Sequence, residues 1–261
     1  MRSNTAKRLL QQGKPAVGVW INWPSPVAAE ALASIGWDWL VVDTEHGAID
    51  LETLQSLFIA IGATPTIPMC RVPWNDHVLI KRVLDAGALG IVVPMVCTAE
   101  EAAAAVRAAK YPPAGIRSSG GGRWRYWAGD GYAEEANDEI AVIVMIEHVD
   151  AVKNAEAILA TPGVDGCFIG PNDLAWSMST PFGRARGTPE HQALIAEVLA
   201  AAKKVGVPAG IHCGGPDEVN QRIDQGFQFL ACQNDAAFMM KAATEAFSTI
   251  QAHREAKKLL P

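Results

Sequence analysis

Basic charge is in short supply in this 261-residue chain: 22 Lys and Arg stand against 28 Asp and Glu, for a net charge of −6. A protein that tracks a nucleic-acid backbone presents a basic field, so no nucleic-acid partner is expected; Arg117, Arg123 and Arg125 form too small a group to change that. Cysteine is sparse and unpaired. The five, at 70, 97, 167, 213 and 232, make no CxxC and total an odd number, which excludes a zinc ribbon and a disulfide framework. Four of them lie in apolar strand-like runs, where a buried thiol acts as a small hydrophobe in a reducing cytoplasm. No run approaches the ~18 apolar residues of a membrane span, and the opening MRSNTAKRLLQQGK has no apolar signal core. The expectation is a soluble, cytoplasmic protein with no membrane partner.

What is present is an alternation. Short β-branched or apolar runs bounded by turn residues occur at Ala16–Ile21, Trp37–Asp43, Thr66–Val72, Gly90–Met95, Ala141–Glu147, Gly166–Gly170, Val207–Cys213 and Phe227–Gln233. Between them lie stretches of helical period: Pro26–Ile35, Leu51–Ile61, His77–Ala86, Thr98–Ala109, Val149–Ala160, Pro189–Val205, Pro216–Gln225 and Ala236–His253. Thr98-Ala-Glu-Glu101 reads as a capping box, and Gly36, Gly87, Gly206 and Gly226 stand where a left-handed residue stops a helix before the next strand. Eight such units, with strands too apolar to be wetted on one face, predict one (β/α)8 TIM barrel over residues 1–261. An open doubly wound sheet is the alternative, disfavoured by the lack of GxGxxG after the first strand. The long connection at about 110–139 reads as a lid, an interface element or both.

In such a barrel, chemistry sits at the C-terminal ends of the strands. There the sequence places Asp43-Thr-Glu-His46, Arg71, Glu147-His148 and Gly170-Pro-Asn-Asp173. An apolar strand that ends in Glu147 requires a partner or a cation for that carboxylate. Glu147 and Asp173, with no cysteine or histidine pair nearby, suit a hard cation such as Mg2+, Mn2+ or Co2+. The plainer alternative is a salt bridge to Arg71, or helix capping by Asp173. Arg71 suits a substrate carboxylate or a developing enolate oxygen, or else serves the rim acids structurally. His46, with acids around it, is the candidate base. His148 and His212 read as structural or pocket-wall residues, and Trp20 as core or pocket wall. The ten lysines, at 7, 14, 81, 110, 153, 203, 204, 241, 257 and 258, include none at a strand end. That excludes a Schiff-base aldolase and leaves carbonyl activation to a metal.

Taken in order, Asp43-Thr-Glu-His46-Gly47, Arg71-Val-Pro73, Leu84-Asp85-Ala-Gly-Ala, Ile146-Glu147 and Phe168-Ile-Gly-Pro-Asn-Asp173-Leu resemble the HpcH/HpaI aldolase family, metal-dependent class II pyruvate aldolases, over about residues 8–250. The resemblance implies a (β/α)8 barrel, assembled as a hexamer whose last helix, about 236–253, packs on a neighbour. It implies Glu147 and Asp173 as metal ligands, His46 as general base and Arg71 as stabiliser of the enolate. It further implies that Asp85 raises the basicity of that histidine across a subunit contact, and that the Asn172 backbone amide helps hold the 2-oxo acid. Met145 departs from the family, which commonly has glutamine there. Met145 still faces inward by strand period, so the pocket beside Glu147 is expected to be less polar.

The expected reaction is reversible cleavage of a 4-hydroxy-2-oxo acid into pyruvate, or hydroxypyruvate, and an aldehyde. The alternatives are a β-hydroxyacyl-CoA lyase of the citrate-lyase-like type, for which no basic groove stands out, a metal-dependent hydrolase, and a carboxylate-binding regulator. Acceptor choice is expected in the loops Trp74–His77, Gly120–Trp127 and Trp176–Gly187, a neighbour's loops included if the chain oligomerises. There Trp124, Trp127, Trp176 and Phe182 would form an apolar wall, and Arg123 or Arg184 would meet a distal acid.

Overall fold

The computed structural model describes residues 1–178 and 184–250. Eight parallel strands close in sequence order: β1 (Ala16–Ile21), β2 (Trp39–Asp43), β3 (Ile67–Arg71), β4 (Gly90–Val93), β5 (Ala141–Ile146), β6 (Gly166–Ile169), β7 (Ala209–Cys213) and β8 (Phe229–Asn234), the last pairing back to β1. The expected TIM barrel is the observed one, each strand within a few residues of its sequence bounds. Closure leaves no sheet edge to protect, which is how strands this apolar on both faces are accommodated. One cluster of buried side chains fills the barrel interior, where the Trp39 and Phe229 rings stack at 4.3 Å. A larger cluster lies between strands and helices. Among the described residues no helix is long and apolar enough to cross a membrane.

The punctuation read from sequence operates as expected. Thr98 and Glu101 form a reciprocal capping box, and Gly36, Gly87, Gly206 and Gly226 all adopt positive φ. Cys70, Cys167, Cys213 and Cys232 are buried free thiols, and Cys97 is half-buried. The stretch expected as one helix from Val149 is two, Val149–Lys153 and Ala155–Leu159, broken at Asn154, whose side chain donates to the Cys97 carbonyl at 2.9 Å. Helix Thr5–Gln11, capped by the buried Asn4, was not legible as an element. Its Lys7 reaches Asp165 at 2.9 Å, just ahead of β6.

The connection at 110–139 carries two short helices, Trp124–Trp127 and Tyr132–Glu139. It joins a helix end to a strand start, so it leaves the barrel from the face opposite the strand C-termini. Arg123 N–H bonds the Asp85 carbonyl, and Trp127 bonds the Gly62 carbonyl, both at helix ends of that far face. The segment is therefore no lid over its own barrel. Arg123, Trp124 and Trp127 do not line this chain's mouth, which leaves their expected part in acceptor choice to a neighbour's mouth.

Helix Asp235–Ser248 is the covered part of the expected last helix; residues 251–253 lie outside the described residues. Met239, Met240 and Phe247 along it are about half exposed.

Trp39 fits only because residue 18 lacks a side chain. A Cβ on Gly18 would lie 2.2 Å from both the Trp39 ring and its carbonyl oxygen. Gly18→Ala is expected to destabilise the barrel by about 1–3 kcal/mol, read as a lower urea midpoint at unchanged slope; an unchanged midpoint would mean the ring relocates freely.

Candidate active site

The mouth cavity, of about 200 Å3, is lined by residues from the C-terminal ends of the strands, among them Trp20, Asn22, Asp43, His46, Arg71, Met145, Asn172, Asp173 and His212. Strand register sets its central charge pair. Asp43 and Arg71 end neighbouring strands as direct partners, and both are buried. Arg71 Nε donates to Asp43 Oδ1 at 2.9 Å and Nη2 to Oδ2 at 2.6 Å, a two-pronged grip. Glu45 meets Nη1 at 3.0 Å, and the guanidinium lies 4.5 Å over the Trp20 ring. Burial pulls the Arg71 pKa down, but the Asp43 hydrogen bonds and the charges of Asp43, Glu45 and Glu147 outweigh it, so the pKa ends above its ordinary value. Asp43 thus engages two of the five N–H bonds, while Nη1 faces Glu45 as an ion pair without a hydrogen bond.

Glu147 follows β5 and is buried. Its Oε1 accepts from the Met95 backbone N–H at 2.9 Å, while Oε2 is buried without a partner. Met95 holds that N–H in place with φ +53°, a left-handed conformation uncommon for a side-chain-bearing residue. Glu147 forms no pair with Arg71, whose fork is taken by Asp43 and Glu45. Burial pushes the Glu147 carboxyl up to about 7; the Met95 hydrogen bond opposes this and the charges of Asp173 and Glu45 add to it. Gly170 leaves the space beside it: a Cβ there would stand 2.3 Å from Glu147 Oε2.

Asp173 is not the helix cap that the sequence alone allowed. Gly170 holds the cap position of helix Pro171–Ser177 and Asp173 falls on its first turn, exposed at the cavity rim. Asn172 precedes it, so its N–H lies among those without an intrahelical acceptor, and its side-chain oxygen accepts from Arg186. Met145 is buried and lines the cavity, facing inward as strand period requires. An orphaned buried carboxylate oxygen, a second carboxylate and an adjacent cleft fit a hard divalent cation. Among the described residues no three His, Cys, Asp or Glu side chains gather as a metal cluster. A cation here would take two carboxylates and complete its shell with water or substrate oxygens.

His46 sits in the loop after β2, largely exposed, with Nε2 4.0 Å from Glu45 Oε2. Asp85 is not beside it. It lies near the far end of helix His77–Ala86, paired at 2.8 Å with the buried Arg117, whose guanidinium lies over the Tyr111 and Tyr132 rings. His148 caps helix Val149–Lys153 through Nδ1, a structural role. His212 and Trp20 are cavity wall. Sequence reasoning missed the clamp itself: Asp43 was visible as a strand-end acid, and knowing the register would have paired it with Arg71. Met95 and Gly170 gave no such signal, because each acts through backbone or an absent side chain. Of the expected acceptor loops, Trp74–His77 does leave a strand C-terminal end with Trp74 exposed, and Trp176 is exposed in the last turn of helix Pro171–Ser177; residues 179–183, Phe182 among them, lie outside the described residues.

A closed barrel with a gripped arginine, a half-partnered glutamate and a histidine around one mouth is the layout of a barrel enzyme. The family model for HpcH/HpaI aldolase/citrate lyase matches residues 16–242, and the chain belongs to that family. A 2-dehydro-3,6-dideoxy-6-sulfogluconate aldolase of Pseudomonas putida is 41% identical over 239 residues, 91% of this chain and 93% of that protein. A hydroxypyruvate/pyruvate aldolase of Sagittula stellata is 40% identical over 245 residues, 92% of this chain and 95% of that protein. The crystal structure of an HpcH/HpaI aldolase/citrate lyase family protein from Burkholderia cenocepacia superposes with a TM-score of 0.88 at 36% identity, covering 94% and 98% of the two chains. The chain is an enzyme, a carbon–carbon lyase of the aldolase type.

Glu147 has a consequence for stability. Its carboxyl ionises near 4.5 in the unfolded chain and near 7 in the cation-free native state. Between those values the native state binds more protons, so stability falls as pH rises through the window. In chelator-treated protein above pH 7, Glu147→Gln is expected to raise unfolding stability by on the order of 3 kcal/mol. A variant no more stable than its parent in urea titrations would contradict the orphaned carboxylate.

Proposed function

We propose that the enzyme reversibly cleaves a 4-hydroxy-2-oxo acid into pyruvate, or hydroxypyruvate, and an aldehyde, with a divalent cation, Mg2+, Mn2+ or Co2+, held by Glu147 and Asp173. The observation that carries the reading is Glu147: a buried carboxylate oxygen without a partner, lying against Gly170, which lines the mouth cavity together with Asp173 and the clamped Arg71. Its aldolase relatives support the substrate class. When bound, the cation would polarise the 2-oxo group and offset the charge of the enolate.

The chain's own groups supply the rest. The Asn172 N–H, at the start of its helix, would receive the substrate carboxylate. His46 would take the proton from the 4-hydroxyl, the C3–C4 bond would break, and the electron pair would come to rest as an enolate. Arg71 would direct N–H bonds not taken by Asp43 to that enolate oxygen, held in aim by the Asp43 grip and the Glu45 charge at no reorganisation cost. Asp85 of the partner subunit would support His46, since within one chain it lies on the far face. The half-exposed Met239, Met240 and Phe247 on the last helix support packing on a neighbour, and a homohexamer in the cytoplasm is the assembly proposed.

Arg71→Ala is expected to lower kcat for pyruvate release by about 100-fold or more. Near-normal turnover would remove Arg71 from the mechanism. Chelator-treated enzyme is expected to be inactive and to recover with Mn2+, Co2+ or Mg2+; full activity without metal would overturn the cation reading.

A further inference from the structure

The mouth holds polar groups that the proposed chemistry does not use. Trp20 Nε1 and Asn22 Oδ1 are both buried and unpartnered. Asn22 is nevertheless fixed: its Nδ2 donates to Asp43 at 2.9 Å and its backbone N–H to Asp235 at 3.0 Å. His212, on β7, makes no hydrogen bond among the described residues, and its ring stands 6.4 Å from that of Trp20. Burial holds its pKa down at about 4, so at neutral pH the ring offers one N–H and one acceptor nitrogen. All three line the same cavity as Arg71 and Asp173. They occupy the β7–β1 side of the mouth, whereas Glu147 and Asp173 follow β5 and β6.

We infer that Trp20 Nε1, His212 and Asn22 Oδ1 form the acceptor subsite, and that they select a short aldehyde carrying a hydroxyl rather than an alkyl or aryl chain. The inference rests on the aldolase reading above. With the oxo acid anchored on the β5–β6 side, the carbon beyond the breaking bond is left to face this arc. A hydroxyl there donates to Asn22 Oδ1 and accepts from the indole or imidazole N–H. An alkyl group in its place leaves the same buried groups unpaired, which is the condition under which a site rejects an analogue strongly. Met145 and Phe168 supply the apolar remainder of the wall.

The test compares cleavage of 4,5-dihydroxy-2-oxopentanoate with that of 4-hydroxy-2-oxopentanoate by the metal-loaded enzyme. The parent is expected to prefer the dihydroxy acid by on the order of 100-fold in kcat/KM. His212→Leu and Trp20→Phe are each expected to reduce that ratio by about ten-fold, while His212→Gln, which keeps an amide donor and acceptor, retains most of it. The ratio is read within each variant, so a general loss of turnover cancels. A parent ratio within about three-fold of unity, or a ratio unchanged in both His212→Leu and Trp20→Phe, would overturn the inference. Deuterium exchange into the pyruvate methyl group separates the two readings. Exchange without hydroxyl preference strikes only the subsite; no exchange and no cleavage of either acid strikes the aldolase reading itself.

Discussion

The two-pronged contact between Asp43 and Arg71 is the constraint around which the mouth is arranged. It arises from strand register: the last residue of β2 stands opposite the last of β3, and neither has water to turn to. A buried ion pair is retained cheaply only when its geometry is good and its remaining groups are satisfied. Here Asn22 takes part of Asp43, the Glu45 and His46 backbone N–H groups take Asp43 Oδ1, and Glu45 and the Trp20 ring take part of Arg71. The loop that carries His46 is thus tied to the same carboxylate that aims the arginine.

Glu147 is the counterweight. Where Asp43 is fully engaged, Glu147 keeps one oxygen idle in a buried place, held by a single backbone N–H from a residue in a left-handed conformation. Such an arrangement disfavours the ionised carboxylate in isolation and favours it once a cation is present. Stability is given up at this position, and binding of the proposed cation would recover it. Affinity for a cation and the poise of the pocket are in this sense one property.

The fold was legible because its signals are local and repeated. Short apolar runs, a capping box at Thr98 and the glycines at 36, 87, 206 and 226 each report their own few residues, and eight repetitions leave one closed architecture. Strand ends were found to within a few residues, and with them Glu147, Asp173, Arg71 and His46. The unread elements were those with weak periodicity: helix Thr5–Gln11, the two short helices after Arg123, and the break at Asn154. The length of the connection at 110–139 pointed to a lid, an interface element or both; its place between helix and strand sends it to the far face, which removes only the lid over its own mouth.

By itself the sequence determined the barrel, the identity of the rim residues and, through its missing strand-end lysine, the kind of carbonyl activation available. Only the tertiary structure decided what each rim residue touches. It paired Arg71 with Asp43 rather than with Glu147, joined Asp85 to Arg117 within the chain, set Asp173 inside a helix turn rather than at its cap, and left Trp20 Nε1, Asn22 Oδ1 and the His212 ring on one wall without hydrogen bonds among the described residues. The physical reason is the difference in range. Propensity and period act over a few residues along the chain, whereas hydrogen bonds and burial at the mouth join groups tens to hundreds of residues apart, through strand registers that only closure of the barrel sets.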